Sequence, residues 1–204
     1  FNNAGVAAGN SAGKAVWEAP DEDWHWVMGV NFYGVLYGVQ TFIPHMLEHG
    51  EESYIVNTAS LAAVMPMGGS YGVSKHGVLA LTEGVQSDLE QREANINAGV
   101  LCPGFVDTQI FNAERNRPGA EQTQADADDP QYQAAKAMLA NGKSPAEIAD
   151  YVFTAMANKQ FYMLPHPAWD EFVGSRTTQI LARQGVATMD LMAMLERSAQ
   201  GDQF

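Results

Sequence analysis

Two stretches in the first half of the chain carry apolar residues at helical spacing. In residues 21–49, after Pro20 and an acidic first turn, apolar side chains recur every three or four positions. This spacing predicts a long, mostly buried helix. Residues 71–92 repeat the pattern, and the stripe there consists of Val78, Leu81, Val85 and Leu89. A second amphipathic helix is therefore predicted.

Short apolar runs alternate with these helices. Residues 54–58, 96–102 and 161–164 have the length and composition of strands, and each lies beside turn-forming residues. The loop at 61–69, for example, contains a proline and two glycines. Because strands and helices alternate along the chain, the sequence predicts a parallel α/β sheet.

The second half of the chain is more polar. Residues 106–142 form a long polar stretch with few apolar residues, and we expect residues 109–143 to form a lid over a substrate or to be disordered. Ser144 and Glu147 match a capping box, which predicts a helix through about residue 158. Two further helices are predicted at about 168–184 and 188–199.

Composition and charge limit the classes of partner. The chain has 204 residues, which fits one domain spanning 1–204, and its net charge is -13. Such acidity repels phosphate backbones, so nucleic acids and anionic membranes are not expected partners. The single cysteine, Cys102, and the lack of a signal peptide or a long apolar run predict a soluble, cytoplasmic protein. Because residue 1 is Phe rather than Met and stands where a strand-like apolar segment is cut through, we expect an N-terminal part to be missing.

The first candidate for chemistry is the pair Tyr71 and Lys75. They are four residues apart on a predicted helix, so their side chains share one face. A nearby ammonium favours the phenolate form of tyrosine, whose ordinary pKa is about 10. The pair can therefore act as an acid/base unit, although the same spacing also occurs on many helix surfaces that have no function.

Ser60 and Asn31 are two further candidates. Ser60 follows a predicted strand, at the edge where open parallel sheets bind their ligands, although a serine there can also simply cap a turn. Asn31 lies within the apolar stripe of the first helix, one turn from Val27 and Val35. A buried amide must be hydrogen-bonded, so Asn31 has a structural role, a catalytic role or both.

These residues occur in an order and spacing that resemble the short-chain dehydrogenases/reductases. The resemblance covers nearly the whole chain and rests on five motifs: Asn2-Asn3-Ala4-Gly5, Asn31, Ser60, Tyr71-x-x-x-Lys75 and Pro103-Gly104. It implies a partial Rossmann-like, doubly wound parallel sheet that lacks the first βαβ units. It departs from the family in one spacing, because the Ser60–Tyr71 interval is about two residues short, which a shortened loop at 65–69 would absorb.

The resemblance also implies roles for the four residues. Tyr71 would exchange a proton with the substrate oxygen, which Ser60 would polarise. Lys75 would lower the pKa of Tyr71 and bind the nicotinamide ribose. Asn31 would hold a water that connects Lys75 to solvent. The implied activity is hydride transfer between NAD or NADP and a small alcohol or carbonyl substrate.

The coenzyme contacts implied by the resemblance lie at the start of the chain, in the Tyr71–Lys75 pair and after the 96–102 strand. They are Asn3, Ala4, Gly5, Tyr71, Lys75, Pro103, Gly104, Val106 and Thr108. The glycine-rich phosphate loop of the family does not occur in this sequence, and neither does the residue that separates NAD from NADP. We therefore expect weak coenzyme affinity from these residues alone.

Other interpretations remain open. The helices at 21–49 and 71–92 resemble those that build homodimers and homotetramers in the family, so an inactive, oligomerising scaffold is the alternative function. A serine hydrolase is weakly supported, because Gly-x-Ser-x-Gly is missing. His45 and His49 have no third ligand nearby, so no metal site is predicted. Tyr162, His166 and Trp169 are candidates for closing either the pocket or a subunit interface.

Overall fold

The computed structural model describes residues 1–8, 14–119 and 130–186. Within these residues, three parallel strands form a sheet in the order β1 (Ser53–Thr58), β2 (Ile96–Leu101) and β3 (Tyr162–Met163). Val56 lies opposite Gly99, and Leu101 lies opposite Met163. On the free side of β1, Asn2 bonds in parallel to the backbone of Val56 and Thr58. The predicted α/β class with a parallel sheet is confirmed.

The predicted helix at 21–49 consists of three consecutive pieces. They are α1 (Asp21–Met28), a π-helical turn (Gly29–Tyr33) and α2 (Gly34–His49). The prediction that this helix is mostly buried was wrong. One face, which includes Val27, Val35 and Val39, is buried, while Tyr37 and Phe42 on the other face are more than half exposed. α3 (Gly69–Gln91) begins two residues earlier than predicted.

The sheet is covered on both faces. Neighbouring residues of β1 point to opposite faces, because side chains alternate along a strand. Ile55 packs into a cluster with Val35 and Val78 from the α2 and α3 side. Val56 packs with Ile148 and other residues of α5 (Pro145–Ala157). Both faces of the sheet are therefore buried, as expected for parallel strands.

The polar stretch contains more regular structure than predicted. A 3-10 helix (Ile110–Asn116) and α4 (Pro130–Ala140) lie within it, and Met138 and Leu139 are buried. The apolar content of α4 is mainly alanine, so no clear stripe marks it in the sequence. Residues 120–129 of the predicted lid lie outside the described residues.

The end of the described chain follows the prediction closely. The capping box is confirmed, because the Ser144 hydroxyl accepts a hydrogen bond from the Glu147 amide (3.2 Å) and the Ser144 amide donates to the Glu147 carboxylate (2.8 Å). The predicted strand at 161–164 is only two residues long, and α6 (Asp170–Ala182) follows it. The helix predicted at 188–199 lies outside the described residues. No helix in the described part of the chain is long and apolar enough to cross a membrane.

Candidate active site

Three of the predicted site residues meet at the carboxyl end of β1. Ser60 lies two residues beyond the end of this strand, and its hydroxyl lies near the phenol of Tyr71 in the first turn of α3. The Lys75 Nζ lies 5.7 Å from the centroid of the Tyr71 ring and donates a hydrogen bond to the Thr58 carbonyl (3.0 Å). The structure thus brings a hydroxyl, a phenol and an amine together.

Ser60 also has the turn-capping role weighed for it in the sequence. Its backbone is extended, and its Oγ accepts a hydrogen bond from the Ala62 amide at 3.2 Å. The same hydroxyl is 3.5 Å from the Pro103 carbonyl oxygen. These contacts fix the serine between the end of β1 and the loop that follows β2.

The connection from Ser60 to Tyr71 is tight where it enters α3. The Met67 carbonyl lies so close to Gly72 that a Cβ at position 72 would overlap it. Gly69 has a positive φ of 68°, which glycine adopts without strain. Two glycines therefore allow this connection to turn directly into the helix that carries Tyr71.

Asn31 joins three parts of the fold. It is fully buried, its Oδ1 accepts a hydrogen bond from the Val6 amide (2.8 Å), and its Nδ2 donates to the Val6 carbonyl (3.0 Å). The Nδ2 also donates to the Ser74 hydroxyl (3.1 Å), which in turn donates to the Tyr71 carbonyl (2.7 Å). Both protons of the Asn31 amide are therefore used inside the protein.

Ser74 was missed by the sequence analysis. The sequence does show a small polar residue directly before Lys75, on the buried side of α3. A single serine there has no spacing that distinguishes it from other polar residues of the helix. The Ser74 hydroxyl connects the Asn31 amide to the backbone of Tyr71, so the π-helical turn and α3 are linked immediately behind the Tyr71–Lys75 pair.

The start of the chain lies beside this cluster. A Cβ on Gly5 would be 3.5 Å from the Lys75 Nζ and 3.7 Å from the Asn31 Oδ1. Gly5 therefore borders a small space that the lysine and the asparagine also line. The other two predicted contacts in this segment, Asn3 and Ala4, are exposed.

Burial changes the protonation of the cluster. It lowers the pKa of Lys75 to about 8, although the side chain is only 3% exposed and still keeps its hydrogen bond to the Thr58 carbonyl. Burial raises the pKa of Tyr71, and the nearby Ser60 hydroxyl opposes this rise. The Cys102 thiol is also buried, which raises its pKa to about 12 and keeps it protonated.

The loop of residues 103–108 forms the opposite side of the site. The Pro103 carbonyl accepts a hydrogen bond from the Leu61 amide (2.9 Å). The Phe105 carbonyl accepts one from the Lys143 amide (3.2 Å), and the Asp107 amide donates to the Lys143 carbonyl (2.9 Å). Of the predicted contacts in this loop, Pro103, Gly104 and Val106 are partly buried and Thr108 is exposed.

An ion-pair cluster that the sequence analysis missed ties down the region after this loop. Arg117 pairs with the buried carboxylate of Asp23 in α1 and with Glu114 (3.6 Å), and its guanidinium lies 5.1 Å from the Trp26 ring centroid. Asp23 and Arg117 are 94 positions apart, so no local pattern marks the pair. In the described part of the chain, no three His, Cys, Asp or Glu side chains are grouped to hold a metal ion.

Several known proteins are similar to this chain. Residues 1–119 match the model of the short chain dehydrogenase family. A "CLA biosynthesis dehydrogenase/reductase" of Lactiplantibacillus plantarum is 34% identical over 192 residues, which are 89% of this chain and 65% of that protein. A 1-deoxy-11-beta-hydroxypentalenate dehydrogenase of Streptomyces avermitilis is 32% identical over 79% of this chain and 53% of its own length.

A solved structure is also similar. It is a short chain dehydrogenase/reductase from Burkholderia phymatum in complex with NAD, with a TM-score of 0.83 and 39% identity over 93% of this chain and 68% of that one. The chain described here spans about two thirds or less of the length of the two curated relatives, 65% and 53%.

Proposed function

Because the chain belongs to the short-chain dehydrogenase family, we propose that it is the catalytic part of an oxidoreductase that uses NAD or NADP. The reaction would transfer a hydride between the coenzyme and a small alcohol or carbonyl compound. The observation that carries the proposal is the grouping of Ser60, Tyr71 and Lys75 at the end of β1, with the Lys75 amine 5.7 Å from the centre of the phenol ring. The names of the relatives and the NAD in the similar structure support it.

In this proposal Tyr71 is the acid/base. In the reduction direction its phenol gives a proton to the carbonyl oxygen, and in the oxidation direction it takes the proton of the alcohol. Ser60, whose hydroxyl lies near the phenol, orients and polarises the same substrate oxygen. In this proposal one substrate oxygen contacts both hydroxyls.

The protonation of Tyr71 favours reduction near neutral pH. Burial raises its pKa, so the phenol keeps its proton and can donate it. Oxidation needs the deprotonated form, and its rate should therefore rise as the pH rises. Lys75, whose pKa is about 8, supplies a positive charge beside the phenol at neutral pH.

The residues around Gly5 fit the nicotinamide half of the coenzyme. The space that Gly5 leaves open has the Lys75 amine at its edge, which is a hydrogen-bond donor suited to ribose hydroxyls. When bound, the coenzyme supplies the hydride donor or acceptor. The residues we propose to contact it are Asn3, Ala4, Gly5, Tyr71, Lys75, Pro103, Gly104, Val106 and Thr108.

Asn31 would have two roles. Its side chain holds the Val6 segment and Ser74 in place, and both of its amide protons are used for this. A water that relays protons from Lys75 would therefore bind the remaining acceptor capacity of Asn31, either on Oδ1 or on the backbone carbonyl. A Cβ on Gly5 would lie 3.5 Å from the Lys75 Nζ and 3.7 Å from the Asn31 Oδ1, which supports a water bound between these two groups.

The test is coenzyme-linked turnover with a panel of secondary alcohols and the matching ketones. We expect Tyr71→Phe to lower turnover by about 1000-fold while the fold is retained, because only the proton donor is removed. Tyr37→Phe is the matched control, since Tyr37 is 60% exposed on α2 and is not one of the proposed site residues. Undiminished turnover in Tyr71→Phe would refute the mechanism.

The alternative role as an oligomerising scaffold is favoured by one observation. Apolar side chains on the outer side of α2 and α3 are exposed, namely Tyr33, Tyr37, Phe42 and Val73. We propose that this surface joins copies of the chain into a homodimer or homotetramer. Sedimentation of Phe42→Glu tests this, and dissociation without loss of coenzyme-linked turnover would separate assembly from catalysis.

A further inference from the structure

His166 occupies a fully buried position between the end of β3 and α6. Its Nδ1 is 3.1 Å from the Gly104 amide nitrogen, and its Nε2 is 3.1 Å from the Phe105 carbonyl oxygen. One imidazole therefore bridges two consecutive residues of the loop at 103–108, across more than 60 positions of sequence.

The two partners determine the form of the imidazole. A backbone amide can only donate, so Nδ1 must accept from Gly104, and a carbonyl can only accept, so Nε2 must carry the proton given to Phe105. This is the neutral imidazole with its proton on Nε2. Burial lowers the pKa of His166, and Lys143 adds to this while the Phe105 hydrogen bond opposes it, so the neutral form prevails at neutral pH.

The loop is also closely packed around Gly104. A Cβ on Gly104 would be 2.9 Å from the Leu61 Cδ1 and 3.3 Å from both the His166 Cγ and the Trp169 Nε1. The Leu61 amide also donates to the Pro103 carbonyl at 2.9 Å. Gly104 is thus enclosed between the residue that follows Ser60 and the His166 ring.

We propose that His166 is a positioning residue for hydride transfer. Its two hydrogen bonds hold the 103–105 backbone at a fixed distance from Ser60, so that a nicotinamide ring resting on this loop faces the substrate carbon beside Ser60 and Tyr71. This rests on the proposed function. The Gly104 amide is then used inside the protein, so the coenzyme contact proposed for Gly104 would come from its other atoms.

The expected effect follows from geometry. A displacement of about 1 Å between reacting groups can slow a reaction by about 100-fold. Loss of both His166 bonds would free the loop to move relative to Ser60 without removing any group that touches the substrate. The rate of hydride transfer should fall, while the acid/base chemistry of Tyr71 stays intact.

Three variants test the two hydrogen bonds of His166 together and separately. His166→Phe keeps the ring volume and removes both bonds. His166→Asn keeps an acceptor at the position of Nδ1, and His166→Gln keeps a donor near the position of Nε2. His45→Phe is the matched control, because the His45 side chain is 72% exposed.

The first measurement is amide hydrogen exchange of Gly104 in the protein without coenzyme. We expect exchange to be about tenfold faster or more in His166→Phe and His166→Gln, and near the parent rate in His166→Asn and His45→Phe. Unchanged exchange in His166→Phe would overturn the bridging role.

The second measurement is turnover with a deuterated substrate. We expect kcat to fall by about 10- to 100-fold in His166→Phe, with a larger primary isotope effect. In His166→Asn, kcat should return to within about threefold of the parent value. The control His45→Phe should keep the melting temperature of the parent protein. Faster exchange with kcat and isotope effect unchanged would overturn the positioning role. Failure of the proposed function would instead appear as full turnover in Tyr71→Phe, whatever the exchange result.

Discussion

The two sides of the candidate site are held in different ways. On one side, Ser60, Tyr71 and Lys75 lie on β1, its short extension and α3, and the spacing of these elements places them. On the other side, the loop of residues 103–108 is held by His166 and Lys143, which come from much later in the chain. We call these the helix side and the loop side.

The difference separates reactivity from alignment. In the proposed function the helix side carries the groups that exchange protons, and local structure keeps them together. The loop side would seat the coenzyme, and long-range hydrogen bonds set its position. Substitutions on the helix side should change protonation and stability, whereas those on the loop side should change the geometry of hydride transfer.

The largest effect on stability is expected at Asn31, the residue that ties the helix side to the start of the chain. Asn31→Leu would leave the Val6 amide, the Val6 carbonyl and the Ser74 hydroxyl buried without this partner. We expect the free energy of unfolding to fall by about 4 kcal/mol in urea denaturation, because each unsatisfied buried group costs about 1–3 kcal/mol. Asn95→Leu, at an exposed position, should change it by less than about 0.5 kcal/mol.

A fall of less than about 1 kcal/mol in Asn31→Leu would contradict this network. It would mean that the helix side is held by the packing of α1, α2 and α3 alone. The comparison with the loop side would then lose its basis.

The second effect is a dependence of stability on pH. Burial lowers the pKa of Lys75 from 10.5 to about 8, so between these values the unfolded chain holds a proton that the folded protein has released. Stability contributed by this group therefore rises with pH from about 8 to 10.5. Relative to Lys75→Met, the parent protein should gain about 3 kcal/mol across this range, at about 1.4 kcal/mol for each pKa unit.

The measurement is urea denaturation of the parent and Lys75→Met at several pH values. Taking the difference removes the contributions of tyrosines that both proteins share. A difference that stays flat from pH 7.5 to 10.5 would show that the Lys75 amine is as well solvated in the folded protein as in the unfolded chain.

The third effect concerns the segment that follows the loop of residues 103–108. Arg117→Met would leave the buried Asp23 carboxylate without its ion-pair partner. We expect a loss of about 2 kcal/mol, below the usual 3–5 kcal/mol for a buried pair, because Arg117 retains some exposure to solvent. Arg115→Met, in the 3-10 helix just before Arg117 and exposed, is the control.

Hydrogen exchange of residues 110–117 shows where Arg117 acts. It should become faster in Arg117→Met, with the strands unaffected. Equal losses of stability in Arg117→Met and Arg115→Met would indicate that the ion pair does not anchor this segment.

The helix side could be predicted from the sequence, and physical reasons explain why. Tyr71 and Lys75 are one helical turn apart, and the apolar stripe that follows them marks α3 to within two residues of its observed start. Ser60 follows a strand whose apolar run is unambiguous. These signals are local, so a short window of sequence contains them.

The loop side could not be predicted in the same way. His166 reaches Gly104 across 62 positions, and neither residue has a pattern that indicates the other. The π-helical turn at Asn31 was also missed, because the apolar stripe of residues 21–49 continues on both sides of it. The long polar stretch contains the alanine-rich helix α4, whose small side chains leave no stripe to detect.

The smallest change tests the space between the two sides. Gly5→Ala adds one methyl group at 3.5 Å from the Lys75 Nζ and 3.7 Å from the Asn31 Oδ1, which are ordinary contact distances. The φ of Gly5 is not positive, so alanine fits its backbone and stability should change by less than about 0.5 kcal/mol. The methyl nevertheless fills the space proposed for a ribose hydroxyl and the relay water.

We therefore expect kcat/KM for the coenzyme to fall by about tenfold in Gly5→Ala, equivalent to about 1.4 kcal/mol of transition-state stabilisation. Gly84→Ala is the matched control, because a Cβ there meets no atom within 4 Å. An unchanged kcat/KM would place the coenzyme away from Gly5, and Lys75 would then act on Tyr71 alone. We expect Gly5→Ala to lower kcat/KM for the coenzyme without loss of stability, while His166→Phe lowers kcat with a changed isotope effect. Together these results would show that the helix side helps to bind the coenzyme and that the loop side aligns it.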